Sequence, residues 1–195
     1  QPDSLLAVMT LALFGEARMA AIWDALRNKK DWPGEWMTDV NSAYAVLARH
    51  PLGTDAHAVV HFDFLDRLGA KRRAAQVLEQ ALERWPGSSG LHDRLRTRLL
   101  EGEGVAALRR RYDDMLAKKP DDAALQWFAG YAAVVEAEFH RREKRPEDAI
   151  AAYRHAIARF DAAVERKADY KPTADHYAAL ALAGLARMSI ESGDL

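Results

Sequence analysis

Apolar side chains along this chain recur at the three- and four-residue spacing of amphipathic helices, and proline interrupts them at a nearly constant interval. Pro51, Pro86 and Pro120 are 35 and 34 residues apart, and each follows one stretch of helical periodicity and precedes another. One helical pair cannot bury its apolar face alone, so a period of about 34 residues predicts helix–turn–helix units that stack on one another. The pattern therefore predicts an all-α protein without a sheet.

Turn signals place the boundaries of these units. Gly69 ends a helix as a glycine C-cap does, and Pro146 stands where proline begins a helix. We predict a truncated helix at 1–19, a degenerate unit at 20–53, units at 54–88 and 89–122, an extended unit at 123–172, and the first helix of a further, truncated unit at 173–195. Because the first residue is Gln1 and the last unit is incomplete, we expect the chain to be a piece of a longer or processed protein.

Composition narrows the class of protein. Hydrophobic residues make up 49% and charged residues 29% of the chain, which is typical of a soluble globular domain. The formal net charge of −1 gives no support to nucleic-acid binding, and the absence of cysteine excludes disulfides and thiolate metal sites. The apolar run at 5–14 is shorter than the roughly 20 residues that cross a bilayer, so we expect a packed helix and no membrane span. Neither the cytoplasm nor the periplasm is favoured.

Several residues match the consensus of one repeat family. The matching residues are Ala74, Leu78, Ala81 and Pro86 in one unit, Ala149, Tyr153 and Ala156 in another, and Trp23 and Leu26 at the opening of the unit at 20–53. With the period, they make the chain resemble the tetratricopeptide repeat (TPR) family. The resemblance implies a right-handed superhelical solenoid of antiparallel helix pairs that binds a peptide or a partner helix in a concave groove.

The resemblance also places the first helix of each pair along that groove. The groove candidates are Phe62, Leu65, Arg94, Thr97, Trp127 and Tyr131. For Trp127 and Tyr131 the alternative stays open that they belong to the core, because aromatic residues at helical spacing often do. Some TPR proteins grip a C-terminal carboxylate with lysine, asparagine and arginine on these helices. Of those cations only Arg94 stands at a comparable place here, which disfavours that mode of binding.

Candidate chemistry is sparse. His57 and His61 are four residues apart, as two metal ligands on one helix face would be, but the glutamate of H-E-x-x-H is missing. Two histidines that hydrogen-bond to neighbouring helices are the favoured interpretation, so we predict no metal site and no cofactor. The basic clusters at 71–73, 109–111 and 141–145 alternate with acidic residues, which is typical of a solvated surface of mixed charge.

These observations favour a binding protein over an enzyme. We expect a non-catalytic scaffold that binds a protein or peptide as part of a larger protein. One alternative is an accessory or docking region of an enzyme or of an export or transport assembly whose catalytic or membrane part lies elsewhere. Another is end-to-end self-association through the open last helix, because the exposed end of a solenoid needs a cap.

Overall fold

The computed structural model of the chain describes residues 4–192, and all regular structure in this range is helical, which confirms the predicted all-α class. The helices are α1 (Leu5–Arg27), α2 (Gly34–Leu47), α3 (Asp55–Arg67), α4 (Lys71–Arg84), α5 (Ser89–Gly102), α6 (Val105–Lys118), α7 (Ala123–Arg142), α8 (Pro146–Arg166) and α9 (Lys171–Ser192), with a 3-10 turn at Ala168–Tyr170. The described residues form two compact units, 4–94 and 95–192, and the boundary between them falls within α5.

Local capping interactions explain several helix ends. The Asp122 carboxylate accepts hydrogen bonds from the backbone of Ala124 at 2.9 Å and of Leu125 at 3.1 Å, which satisfies donors at the start of α7. Gly69 and Gly104 have φ of +77° and +83°, a conformation that glycine adopts without strain, so the chain turns sharply after α3 and before α6. Pro146 occupies the first position of α8, as predicted.

The N-terminal region differs from the predicted units, because α1 runs without a break through the boundary placed between residues 19 and 20. Gly15, in the middle of this helix, serves packing: an added Cβ would lie 2.7 Å from Cε2 of Tyr44. Arg18 forms an ion pair with Asp39 at 2.9 Å, which joins α1 to α2. The first turn signal after α1 is Lys29, whose φ is +54°.

Helix α1 is also the one helix among residues 4–192 that is long and apolar enough to cross a membrane by length and composition. It has 23 residues and a mean hydropathy of 1.7 over 18 of them, and 22% of that window is buried. The expectation of no membrane span counted the apolar run only to residue 14, whereas Met19, Ile22 and Trp23 extend it. That expectation therefore stays a prediction.

In the unit at 4–94, helices that follow one another in the chain pack together: α1 with α2, α2 with α3, and α3 with α4. Ile22, Leu47, Leu65 and Leu78 are fully buried between them. The rings of Trp23 and Phe64 meet edge to face at 5.7 Å between their centroids, which adds a contact between α1 and α3.

In the unit at 95–192, α7 packs against α6, α8 and α9, and α8 packs against α9. Buried alanines on α8, including Ala149, Ala152 and Ala156, allow close approach of the neighbouring helices. At Gly184 on α9 an added Cβ would lie 2.3 Å from the Tyr153 ring, so only glycine fits there. The Tyr153 hydroxyl donates a hydrogen bond to Glu138, and burial followed by this contact raises the pKa of Tyr153 to about 12.

Candidate functional site

Two of the predicted groove residues lie in the core. Phe62 and Leu65 on α3 are buried, because α3 packs against both α2 and α4 and its apolar face is covered. Their side chains stabilise the unit at 4–94 and offer no surface to a partner. The candidate site therefore does not include them.

Arg94 is engaged in an ion pair. Its Nε lies 3.0 Å from Oδ1 of Asp63 and its Nη2 lies 2.7 Å from Oδ2, a bidentate arrangement that joins α5 to α3. This hydrogen bond raises the pKa of Arg94 above its usual value. Arg94 would have to leave Asp63 before it could grip a ligand carboxylate. Thr97, further along α5, is exposed.

The two histidines that were considered as metal ligands have different partners. Nδ1 of His57 accepts a hydrogen bond from the backbone of Thr54 at 3.1 Å and completes a capping box at the start of α3. Nε2 of His61 lies 3.1 Å from Oδ1 of Asn41 on α2. Within residues 4–192 no group of three or more histidine or carboxylate side chains is placed to hold a metal ion.

The burial of His61 predicts an acid sensitivity. Burial, and secondarily the charge of Arg73, lower the pKa of His61 from its ordinary 6.5 to about 4. Between these two pH values the unfolded chain binds a proton that the folded chain excludes, so stability falls as the pH falls through this window. We expect His61 to remove about 2 kcal/mol of unfolding free energy between pH 7 and pH 4.5. Urea titrations of the wild type and His61→Gln measure it, and an unchanged pH dependence in the variant would contradict it.

Three partly buried aromatic side chains of the unit at 95–192 form a contiguous group, which we name the aromatic cluster: Trp127 and Tyr131 on α7 and Tyr177 on α9. The Trp127 and Tyr131 rings are stacked, with 6.0 Å between centroids and an interplanar angle of 18°. Tyr177 meets both edge to face, at 5.5 Å from Trp127 and 5.1 Å from Tyr131. The structure thus brings two of the predicted groove residues together and adds a third aromatic ring.

Phe160 on α8 supports the aromatic cluster from the core. Its ring lies 6.2 Å from that of Trp127 and 6.0 Å from that of Tyr177, and the side chain is almost fully buried. At Gly130 an added Cβ would lie 2.8 Å from Phe160 Cε1. The glycine at position 130 therefore lets α7 approach Phe160 closely. This close approach positions Trp127 and Tyr131, which lie on the same helix, relative to Phe160.

A cation completes the surface. The Arg96 guanidinium carbon, on α5, lies 4.4 Å from the centroid of the Tyr131 ring, within the range of a cation–π contact. The indole Nε1 of Trp127 is buried and has no hydrogen-bond acceptor among the described residues. The arrangement can receive an aromatic, aliphatic or proline side chain on its rings and an acidic group near Arg96.

Sequence reasoning missed Tyr177 and Arg96. The register of the repeat held a signal for Tyr177. It is the fifth residue of the predicted unit at 173–195, and Trp127 is likewise the fifth residue of the unit at 123–172. Nothing local marks Arg96, since its contact with Tyr131 joins helices that are distant in the chain. Both residues became candidates only through tertiary contacts.

Comparisons with known proteins do not identify a function for this arrangement of residues. No family model, curated protein or solved structure matches the chain.

Proposed function

We propose that this chain is a non-catalytic, TPR-like interaction module that binds a peptide or a partner helix of another protein. The observation that carries the proposal is the aromatic cluster with Arg96 beside it. Its residues come from α5, α7 and α9, which are the first helices of three successive predicted pairs. Under the proposal they line one groove.

The composition of this surface supports binding energetically. Tryptophan, tyrosine and arginine are the residue types that most often dominate the energy of protein interfaces, because they combine a large apolar area with a polar group. The rings are already packed against Phe160 and against one another, so little side-chain freedom is lost when a partner binds. The expected partner segment carries an aromatic or proline residue near an acidic residue.

Perturbed titratable groups within residues 4–192 have structural explanations, which supports a non-catalytic role. The pKa of Glu138 is lowered chiefly by its hydrogen bond to Arg141. Burial, followed by the charges of Arg109 and Arg159, lowers the pKa of His155 to about 4. These groups stay in one charge state near neutral pH, whereas a general acid or base works best with a pKa near the operating pH.

One observation favours the alternative of a region that docks on an export or transport assembly. Helix α1 exposes Leu5, Leu6, Met9 and Leu13, and by length and composition it could enter a bilayer. Co-sedimentation of the chain with neutral phosphatidylcholine vesicles tests this alternative. If a Leu6→Glu variant no longer sediments with the vesicles, the vesicle binding is assigned to α1.

A displayed library of random 12-residue peptides, selected on the wild-type chain, tests the proposed function. Dissociation constants of the selected peptides are then measured by fluorescence anisotropy. We expect Tyr131→Leu and Arg96→Gln each to weaken binding about tenfold, which corresponds to about 1.4 kcal/mol. The control Arg154→Gln removes an exposed charge on α8 of the same unit and should leave affinity unchanged.

Thermal midpoints of the same variants separate binding from folding. The proposal expects the midpoint to stay within a few degrees of the wild type while the affinity falls. Selected peptides that bind a Tyr131→Leu, Arg96→Gln double variant as tightly as the wild type would refute the assignment of the aromatic cluster as the binding surface.

A further inference from the structure

A cavity lies between α2, α3 and α4 in the unit at 4–94. Its volume is about 510 Å³, within the roughly 300–1,000 Å³ range of small-molecule sites. Much of its wall is formed by Ala45 of α2, Ala48 directly after α2, Ala58 of α3 and Ala81 of α4. Because these four side chains are small, the three helices leave space where larger residues would have filled the core.

His61 supplies a polar group of defined character to the cavity wall. Nδ2 of Asn41 donates a hydrogen bond to the Met37 carbonyl at 2.7 Å, which turns the amide oxygen Oδ1 toward Nε2 of His61. The proton of the neutral imidazole is therefore on Nε2, and Nδ1 is a hydrogen-bond acceptor. His61 is 93% buried, and Nδ1 has no partner among the described residues.

Tyr44 adds an aromatic ring beside His61. Its ring stacks on the imidazole of His61 at 5.1 Å and 23°, and the residue is only 2% exposed. Tyr44 also lines the cavity, while one edge of its ring lies against Gly15 of α1. Nδ1 of His61 is thus left to pair with an occupant of the cavity, because Nε2 is already paired with Asn41.

The charge and shape of the wall indicate the class of that occupant. Arg49 lines the cavity, and its Nε donates to the Ala45 carbonyl at 3.1 Å, which holds the guanidinium beside the opening. No aspartate or glutamate is among the described residues that line it. Trp85 adds a flat aromatic wall, and the guanidinium carbon of Arg84 lies 4.6 Å from the centroid of the Trp85 ring. An anionic group is thus favoured near Arg49, and a planar apolar body against Trp85.

We infer that this cavity is a binding site for a small organic carboxylate with a planar apolar body and an N–H or O–H donor. The donor pairs with Nδ1 of His61, and the carboxylate lies near Arg49. This site is separate in its residues from the aromatic cluster, and it adds a small-molecule ligand to a chain proposed to bind protein.

Indole-3-acetate is a suitable probe, because it has the planar ring, the N–H donor and the carboxylate. Isothermal titration of the full chain should give a dissociation constant of about 0.1–1 mM, as for a ligand of this size. Tryptamine, with an ammonium group in place of the carboxylate, should bind at least tenfold more weakly. Absence of indole-3-acetate binding at about 5 mM, or equal binding of the two probes, would overturn the inference.

Two variants locate the site. Arg49→Gln changes an exposed side chain and should weaken indole-3-acetate about fivefold, whereas the control Arg72→Gln, an exposed position on α4, should not. Val77→Trp places an indole in the cavity and should abolish binding while the far-ultraviolet circular dichroism stays that of the wild type. Unchanged binding by a folded Val77→Trp variant refutes the site. If that variant does not fold, equal affinities of Arg49→Gln and Arg72→Gln refute it.

Discussion

Replacing Phe160 with alanine is expected to lower the free energy of unfolding of the unit at 95–192 by about 3–5 kcal/mol. Phe160 is 1% exposed, and its ring contacts those of Trp127 and Tyr177. The variant loses the transfer energy of the ring and leaves a cavity beneath the aromatic cluster. Gly130 on α7 also lies against Phe160, and it has no side chain that could move into the space.

Phe139→Ala is the matched control, because it removes the same group from α7 of the same unit at a site that is 41% exposed. We expect it to lower the unfolding free energy by no more than about 1 kcal/mol. Urea titration followed by circular dichroism measures both variants, and amide hydrogen exchange assigns the loss to residues 95–192. Similar losses of unfolding free energy in the two variants would show that Phe160 stabilises the unit no more than an exposed phenylalanine does.

Leu65→Ala is expected to destabilise the unit at 4–94 by about 2–5 kcal/mol. Leu65 is 0% exposed on α3, where a groove residue would keep an open face. A side chain that served only a partner would change binding and leave stability nearly constant. The size of this loss therefore distinguishes the core position seen in the structure from the groove position that the resemblance implies.

Leu52→Ala provides the comparison for Leu65, since it removes the same atoms from a turn residue of the same unit that is 46% exposed. Its expected effect on the unfolding free energy is about 1 kcal/mol or less. Both variants are followed by urea titration with hydrogen exchange of residues 4–94. If Leu65→Ala lowered the unfolding free energy no more than Leu52→Ala, Leu65 would not be a core residue and would again be a candidate for partner binding.

Helix ends were largely predictable, because the signals that start and stop helices are local. The predicted unit at 54–88 contains the helix pair α3 and α4, which span Asp55–Arg67 and Lys71–Arg84. Gly69 and Pro146 also mark the turns that they predicted. The predicted boundary at residue 20 rested on the period alone, and no glycine or proline supports it. Without such a local signal, α1 continues through this position.

The candidate site was only partly predictable. The resemblance placed Trp127 and Tyr131 on the same helix of the groove, and they do lie together. The resemblance placed Arg94 in the groove, whereas the structure pairs it with Asp63, which lies 31 residues away in the chain. Tyr177 and Arg96 reach the aromatic cluster from other helices, so no spacing within α7 could reveal them.

The amino-acid sequence by itself determined the helical class of this protein and most of its turns, because backbone propensity, capping and proline act over a few residues. Tertiary structure decided which apolar faces are covered, which charges are paired and where a cavity remains. Phe62 and Tyr131 are alike in sequence pattern, yet Phe62 is buried in the core and Tyr131 is only partly buried. That difference depends on which helices pack against α3 and α7, and contacts between distant segments set it.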